Sequence, residues 1–280
     1  MPYFRICCTL IACFLLSGCF QTETLIRLKA DGSGVIEEKL LLSKEMLKSL
    51  QEMAEAFQEE GDKKKDEGAK KKEDPLQGMI RDAQKKEGQY GPGVKFVSAV
   101  PLTTETMSGY KAIYAFKDIN TLKITQNPGK KVDKMGGGQG AAVPEENILF
   151  SLKKGPVSTL TITLPKGKEE KKPASPKKEP KETGLVDPKA LEQMKQIFKD
   201  MGFKVALEVE GQIIKTNATY RNKSEITLME LHFGKLIEKP EKFEQLAAAK
   251  PKTMTEAKEL LKGIEGLKIE TADPVVVEFK

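Results

Sequence analysis

The chain has 280 residues, enough for one large domain or two small ones. It is 39% hydrophobic and 31% charged, with 23 Gly, 15 Pro, no Trp, one His and four Cys, whereas globular domains usually carry roughly 45–50% apolar residues and about 25% charge. That balance excludes a fully disordered chain and a polytopic membrane protein, and the single His leaves little room for metal chemistry.

The N-terminus carries the strongest signal. Met1-Pro2-Tyr3-Phe4-Arg5 places one positive charge before an apolar run from Ile6 to Leu16, which ends in Leu16-Ser17-Gly18-Cys19. A charged start, a short apolar run and small residues before a cut site describe a secretory signal. The run falls short of the ~20 apolar residues a membrane span needs. Its ending resembles the lipobox of bacterial lipoproteins. The resemblance implies cleavage between Gly18 and Cys19 and attachment of membrane lipid through acylation of Cys19. It also implies export, with the outer membrane favoured in a Gram-negative cell, because Phe20 and not Asp follows the cysteine. Cys7, Cys8 and Cys13 fall inside the signal, so the processed chain is expected to hold no free thiol and no disulfide. Such a fold must stand on its core alone.

Thr24–Ala30 and Val35–Leu42 alternate apolar and polar residues around Asp31-Gly32-Ser33-Gly34, the pattern of a β-hairpin. Ile26 and Leu28 share one face, as do Ile36, Leu40 and Leu42. Ser43 then caps a helix whose stripe is Met46, Leu47, Leu50, Met53, Ala54 and Phe57. Residues 61–74 form a mixed-charge loop, and Asp74-Pro75 opens a second helix with Leu76, Met79, Ile80 and Ala83 on one side. Lys95–Val100 and Tyr110–Phe116 read as strands joined by a polar loop through Gly109, with Leu122–Ile124 beyond. Residues 126–146 read as a second loop. Its Gly136-Gly137-Gly138-Gln139-Gly140 lacks the strand before and the helix after that a nucleotide site needs. Asn147–Leu152 and Ser158–Leu164 form a hairpin in which Thr159, Thr161 and Thr163 make a wet face.

Residues 166–183, almost all Lys, Glu and Pro, read as a linker or a loop, because they cannot bury enough surface to offset chain entropy. They separate an N-terminal α+β lobe, 19–165, from a C-terminal one, 184–280, which share a sheet if the final strand pairs with the first hairpin. In the second lobe Asp187-Pro188 opens a helix with Leu191, Met194, Phe198 and Met201 inside. A three-stranded meander follows from Val205 to Phe233, its middle strand running over Ile213–Tyr220. Further helices are expected at Pro240–Ala249 and from Thr253, and closing strands at Leu267–Ile269 and Val275–Phe279. The fold class is therefore α+β: mostly antiparallel sheet with amphipathic helices on one face.

Chemistry is sparse. Three Lys-rich segments, 61–74, 129–135 and 166–182, hold the basic excess behind the net charge of +6. Their Lys residues alternate with acids and carry no stacking aromatics, which argues against nucleic acid. His232 has no second His or usable Cys near it in sequence, and Gly-x-Ser-x-Gly is absent. Glu37 and Glu38 point to opposite faces of a strand and cannot share a substrate. Neither a catalytic set, a metal site nor a cofactor is expected. The expected role is a membrane-anchored binding or adaptor protein serving another envelope protein. The alternative is a carrier of a hydrophobic ligand held by Met46, Leu50, Met53, Phe57, Leu191, Met194, Phe198 and Met201. A cell-wall hydrolase is the remote third.

Overall fold

The computed structural model describes residues 20–49, 51–52, 74–125, 147–165, 199–238 and 263–280. Period-two alternation builds most of it. In β1 (Phe20–Leu28) and β2 (Gly34–Ser43), Ile26, Leu28, Ile36, Leu40 and Leu42 are buried on one face. Their hairpin closes as expected at Asp31-Gly32, where Gly32 takes φ +85° and the Asp31 carboxylate accepts from the Ser33 backbone N–H at 2.9 Å. Glycine adopts that φ without the clash a Cβ would cause.

The Ser43 hydroxyl accepts from the Met46 N–H at 3.1 Å and opens the helix at 44–49. Helix α1 (Pro75–Gln84) starts on an Asp74 cap, its carboxylate accepting from Leu76 N–H at 2.9 Å. β3 (Lys95–Thr103) and β4 (Met107–Phe116) follow, then β5 (Lys123–Thr125). β6 (Asn147–Lys153) and β7 (Ser158–Thr163) form the expected hairpin, with Leu160 and Ile162 fully buried. The second half contributes β8 (Gly202–Val209), β9 (Ile213–Thr216), β10 (Arg221–Asn222) and β11 (Glu225–His232). The short helix α2 (Phe233–Ile237), β12 (Leu267–Ile269) and β13 (Val275–Phe279) complete it.

Among the described residues the strands form two sheets around one apolar core. The larger has eight strands, β10-β11-β8-β1-β2-β4-β3, with β12 beside β11. The smaller has five, β5-β6-β7-β13-β9. Among the described residues all the strand pairs are antiparallel except one: β1 runs parallel to β8, from Gln21 opposite Gly202 to Leu28 opposite Val209. The architecture is α+β-like, but sheet dominates and described helices are few.

Four expectations change. The region from Val205 to Phe233 is no meander, because β9 crosses to the smaller sheet and pairs with β13, while β8 lies between β1 and β11. The crossing begins at Gly211, φ +150°, and is held where Gln212 and Lys280 exchange backbone hydrogen bonds. The strand expected as far as Tyr220 ends at Thr216, because the Asn217 side chain takes over, its Oδ1 accepting from Val276 N–H at 2.7 Å. The final strand pairs with β7 and β9 and not with the first hairpin. Gly109 is no loop residue: it sits inside β4, packed so closely on β2 that a Cβ would overlap the Leu40 carbonyl oxygen. The connection between β3 and β4 lies instead at Thr104–Thr106, where Thr104 N–H donates to the Met107 carbonyl at 2.8 Å.

Leu50, the stripe beyond residue 52, residues 187–198, 240–249 and 253–262 of the expected helices, and the loops 61–73, 126–146 and 166–183 lie outside the described residues. The helix expected from Asp187 does not extend to Met201, because residues 199–200 form a turn and Gly202 opens β8, and Ile264 likewise lies outside any helix.

Candidate functional site

Strand alternation drives a carboxylate into the core. Glu38 lies on β2 between Ile36 and Leu40, on the face that packs inward, and is fully buried. Its register partner on β4 is Ala112, flanked by Tyr110 and Tyr114 on the same face. These two side chains bring their hydroxyls toward Glu38, Tyr110 at 3.2 Å from Oε1 and Tyr114 at 3.5 Å from Oε2.

The other partners come from the end of α1. The helix stops at Gln84, and a 3-10 turn over Glu87–Tyr90 folds the chain back onto the sheet. Tyr90 hydroxyl donates to Glu38 Oε2 at 2.5 Å, and Lys86 Nζ donates to Glu38 Oε1 at 3.0 Å and to Tyr110 hydroxyl at 2.7 Å. Lys86 also stands 5.4 Å from the centre of the Tyr110 ring. Tyr114 hydroxyl donates to the Ala83 carbonyl at 2.7 Å, which ties the last turn of α1 to β4. Burial, reinforced by the Glu38 charge, pushes all three phenols well above the ordinary tyrosine range.

This is the one deeply buried charged cluster on the inner face of the larger sheet among the described residues, and every polar group in it is engaged. Buried charges are tolerated only when paired and hydrogen-bonded. The signal was present in the sequence: position 38 falls on the apolar face defined by Ile36 and Leu40. The pairing with Tyr90 and Lys86 depends on tertiary packing and had no local signal.

The opposite face of the same sheet is a lattice of ion pairs. Glu37, on the other side of β2 from Glu38 as strand geometry requires, accepts from Arg27 Nε at 2.6 Å and pairs with Lys111 at 2.8 Å. Arg27 also reaches Glu208 on β8. Lys39 pairs with Glu23, and Lys204 with Glu225, each at 2.9 Å. Burial pushes the Glu37 carboxyl up, but hydrogen bonds from Lys111 and Arg27 outweigh it and hold it below the usual carboxylate range. Partly exposed pairs of this kind contribute little singly, about 0–1 kcal/mol each.

His232 ends β11 with its side chain half exposed, its Nε2 2.9 Å from Glu230 Oε1. Glu270, fully buried, accepts from the Thr219, Thr271 and Ala272 backbone N–H groups and from the Thr219 hydroxyl, all within 2.9 Å. These bonds clasp the Thr219 and Thr271–Ala272 loops together. No group of acidic, His and Cys side chains among the described residues could hold a metal, and no described helix is long and apolar enough to cross a membrane.

Of the candidate ligand-facing residues, Met46 is half-buried against the core and Met201 is half-buried before β8. Leu50, Met53, Phe57, Leu191, Met194 and Phe198 lie outside the described residues, as do Gly18 and Cys19.

No family model matches the chain, and no curated protein does. Among solved structures it is similar to the folded domain of the Mycobacterium tuberculosis protein LppM, determined by NMR. The two share 8% identity and a TM-score of 0.33 over 94% of this chain and 91% of that one, too distant a likeness to carry an argument.

Proposed function

We propose that this chain is a lipid-anchored, non-enzymatic envelope protein that presents a β-rich body for binding or scaffolding at a membrane surface. One observation carries the reading: Leu16-Ser17-Gly18-Cys19 is followed at once by β1, which starts at Phe20. Lipid attached to Cys19 would leave no spacer between bilayer and fold. Two or more acyl chains provide stable attachment where one does not.

The non-enzymatic part of the reading is supported by the state of the buried cluster. Glu38, Lys86 and the three tyrosines satisfy one another and present no nucleophile–base pair of the kind covalent catalysis uses. Met46 already packs against the core, which favours a structural use over a ligand groove. Phe20 after the cysteine favours the outer membrane where the cell has one.

Cys19→Ser tests the anchor. The substituted protein should lose its acyl mass and leave the membrane fraction, while in-cell crosslinking of the natural protein captures a partner that the substituted protein no longer meets. Unchanged membrane association of Cys19→Ser would refute the reading.

A further inference from the structure

Resting on that lipid-anchor reading, we infer that one end of the larger sheet is a bilayer-facing surface, and that the sheet stands upright on the lipid headgroups. Chain connection and strand register place it there. Phe20 is bonded directly to the residue that would be acylated, and consecutive Cα atoms lie about 3.8 Å apart. The first residue of β1 is therefore held within one residue's reach of the anchor.

Strand pairing then fixes which other groups share that end. Phe20 lies opposite Leu42, Ser43 opposite Met107, and Gln21 opposite Gly202. The helix at 44–49, the Thr104–Thr106 turn and the start of β8 are consequently at the anchored end. Lys44 binds the helix to the turn, its N–H donating to the Thr106 carbonyl at 3.1 Å and its Nζ to the Glu105 carbonyl at 2.8 Å. The opposite end carries the Asp31-Gly32 turn and Lys117, since Gly34 lies opposite Phe116. β2 has ten residues, and at ~3.3 Å per residue the two ends stand about 30 Å apart.

The chemistry of the anchored end fits neutral headgroups. Lys44, Lys48 and Lys199 at its surface are interspersed with Glu45, Glu105 and Asp200. Polybasic recognition of anionic lipid needs a cluster of one sign, and this surface lacks one among the described residues. Orientation is set by the short connection to lipid, and it should persist on zwitterionic membranes and in high salt.

Single cysteines read this directly, because processing would remove Cys7, Cys8 and Cys13 and cap Cys19 with lipid. Glu105→Cys and Lys48→Cys report on the anchored end, and Lys29→Cys and Lys117→Cys on the far end; all four positions are exposed. Each variant is made as the full chain, processed in cells, labelled with an environment-sensitive fluorophore and placed in phosphatidylcholine vesicles containing headgroup-spin-labelled lipid. Intact mass is recorded first. With the acyl mass present, quenching of at least about twofold at positions 48 and 105 and almost none at 29 and 117 is expected from the ~3.3 Å strand rise. Equal quenching at both ends, or stronger quenching at the far end, overturns the orientation and leaves the anchor standing. A mass without acyl chains removes the anchor, and the orientation with it.

Discussion

Substitution of Lys86 probes the buried cluster most sharply. Lys86→Met keeps the apolar stem and removes the cation that pairs with Glu38. Glu38 is fully buried, and Lys86 is 24% exposed. Removing one partner of a buried pair costs about 3–5 kcal/mol. Tyr90 and Tyr110 continue to donate to Glu38, while Tyr114 gives its proton to the Ala83 carbonyl, so the low end applies, about 3 kcal/mol. Glu38→Gln leaves a lysine that can turn to water and should cost about 2 kcal/mol, largely through weaker hydrogen bonds. The double variant should cost about 3 kcal/mol, well short of the sum, a coupling of about 2 kcal/mol. Urea unfolding of residues 20–280 at neutral pH measures all three. Additivity of the two single changes to within about 0.5 kcal/mol would show that the pair does not act as a unit, and the account of the cluster would fail.

Alkali should destabilise the fold through the same cluster. Tyr90, Tyr110 and Tyr114 hold their protons in the folded state while unfolded phenols ionise near 10.0. Their contribution is complete below that pH and is lost above it, at up to ~4 kcal/mol per pH unit if all three lag. Phenolate absorbance should thus rise together with loss of β circular dichroism; ionisation of these three ahead of unfolding would contradict it. Gly109→Ala should cost on the order of 4 kcal/mol, because the added methyl meets the Leu40 carbonyl between two paired strands; a melting temperature near that of the natural chain would contradict the register. Thr22 Oγ1 is buried without a hydrogen-bond partner among the described residues. Thr22→Val should therefore stabilise by about 1 kcal/mol, and a loss of stability would point to a partner for that hydroxyl.

Local chemistry made much of the fold legible. The Asp31-Gly32 hairpin, the Ser43 and Asp74 caps, the wet and dry faces of β7 and the closing strands all follow from turn residues and alternation. Long-range pairing was not legible. The parallel contact of β1 with β8 joins segments about 180 residues apart without a shared turn, and β9 changes sheets for reasons set by the Gln212–Lys280 pairing. Gly109 reads as a loop from composition, yet close approach of β2 is what places a glycine there. Glu38 was visible by parity with Ile36 and Leu40, but its identity as a charge masked its position on the apolar face. Of the candidate site, Leu16-Ser17-Gly18-Cys19 and its resemblance to a lipobox are read directly in sequence, while the Glu38 cluster needs α1 folded onto β2 and β4 before it exists.

The central claim is that lipid on Cys19 seats this body directly on a membrane, and intact-mass analysis of the N-terminal peptide from the cellular protein tests it most directly. The account predicts a peptide beginning at Cys19 and carrying a diacylglycerol thioether. A chain that begins elsewhere, or an unmodified Cys19, would contradict it.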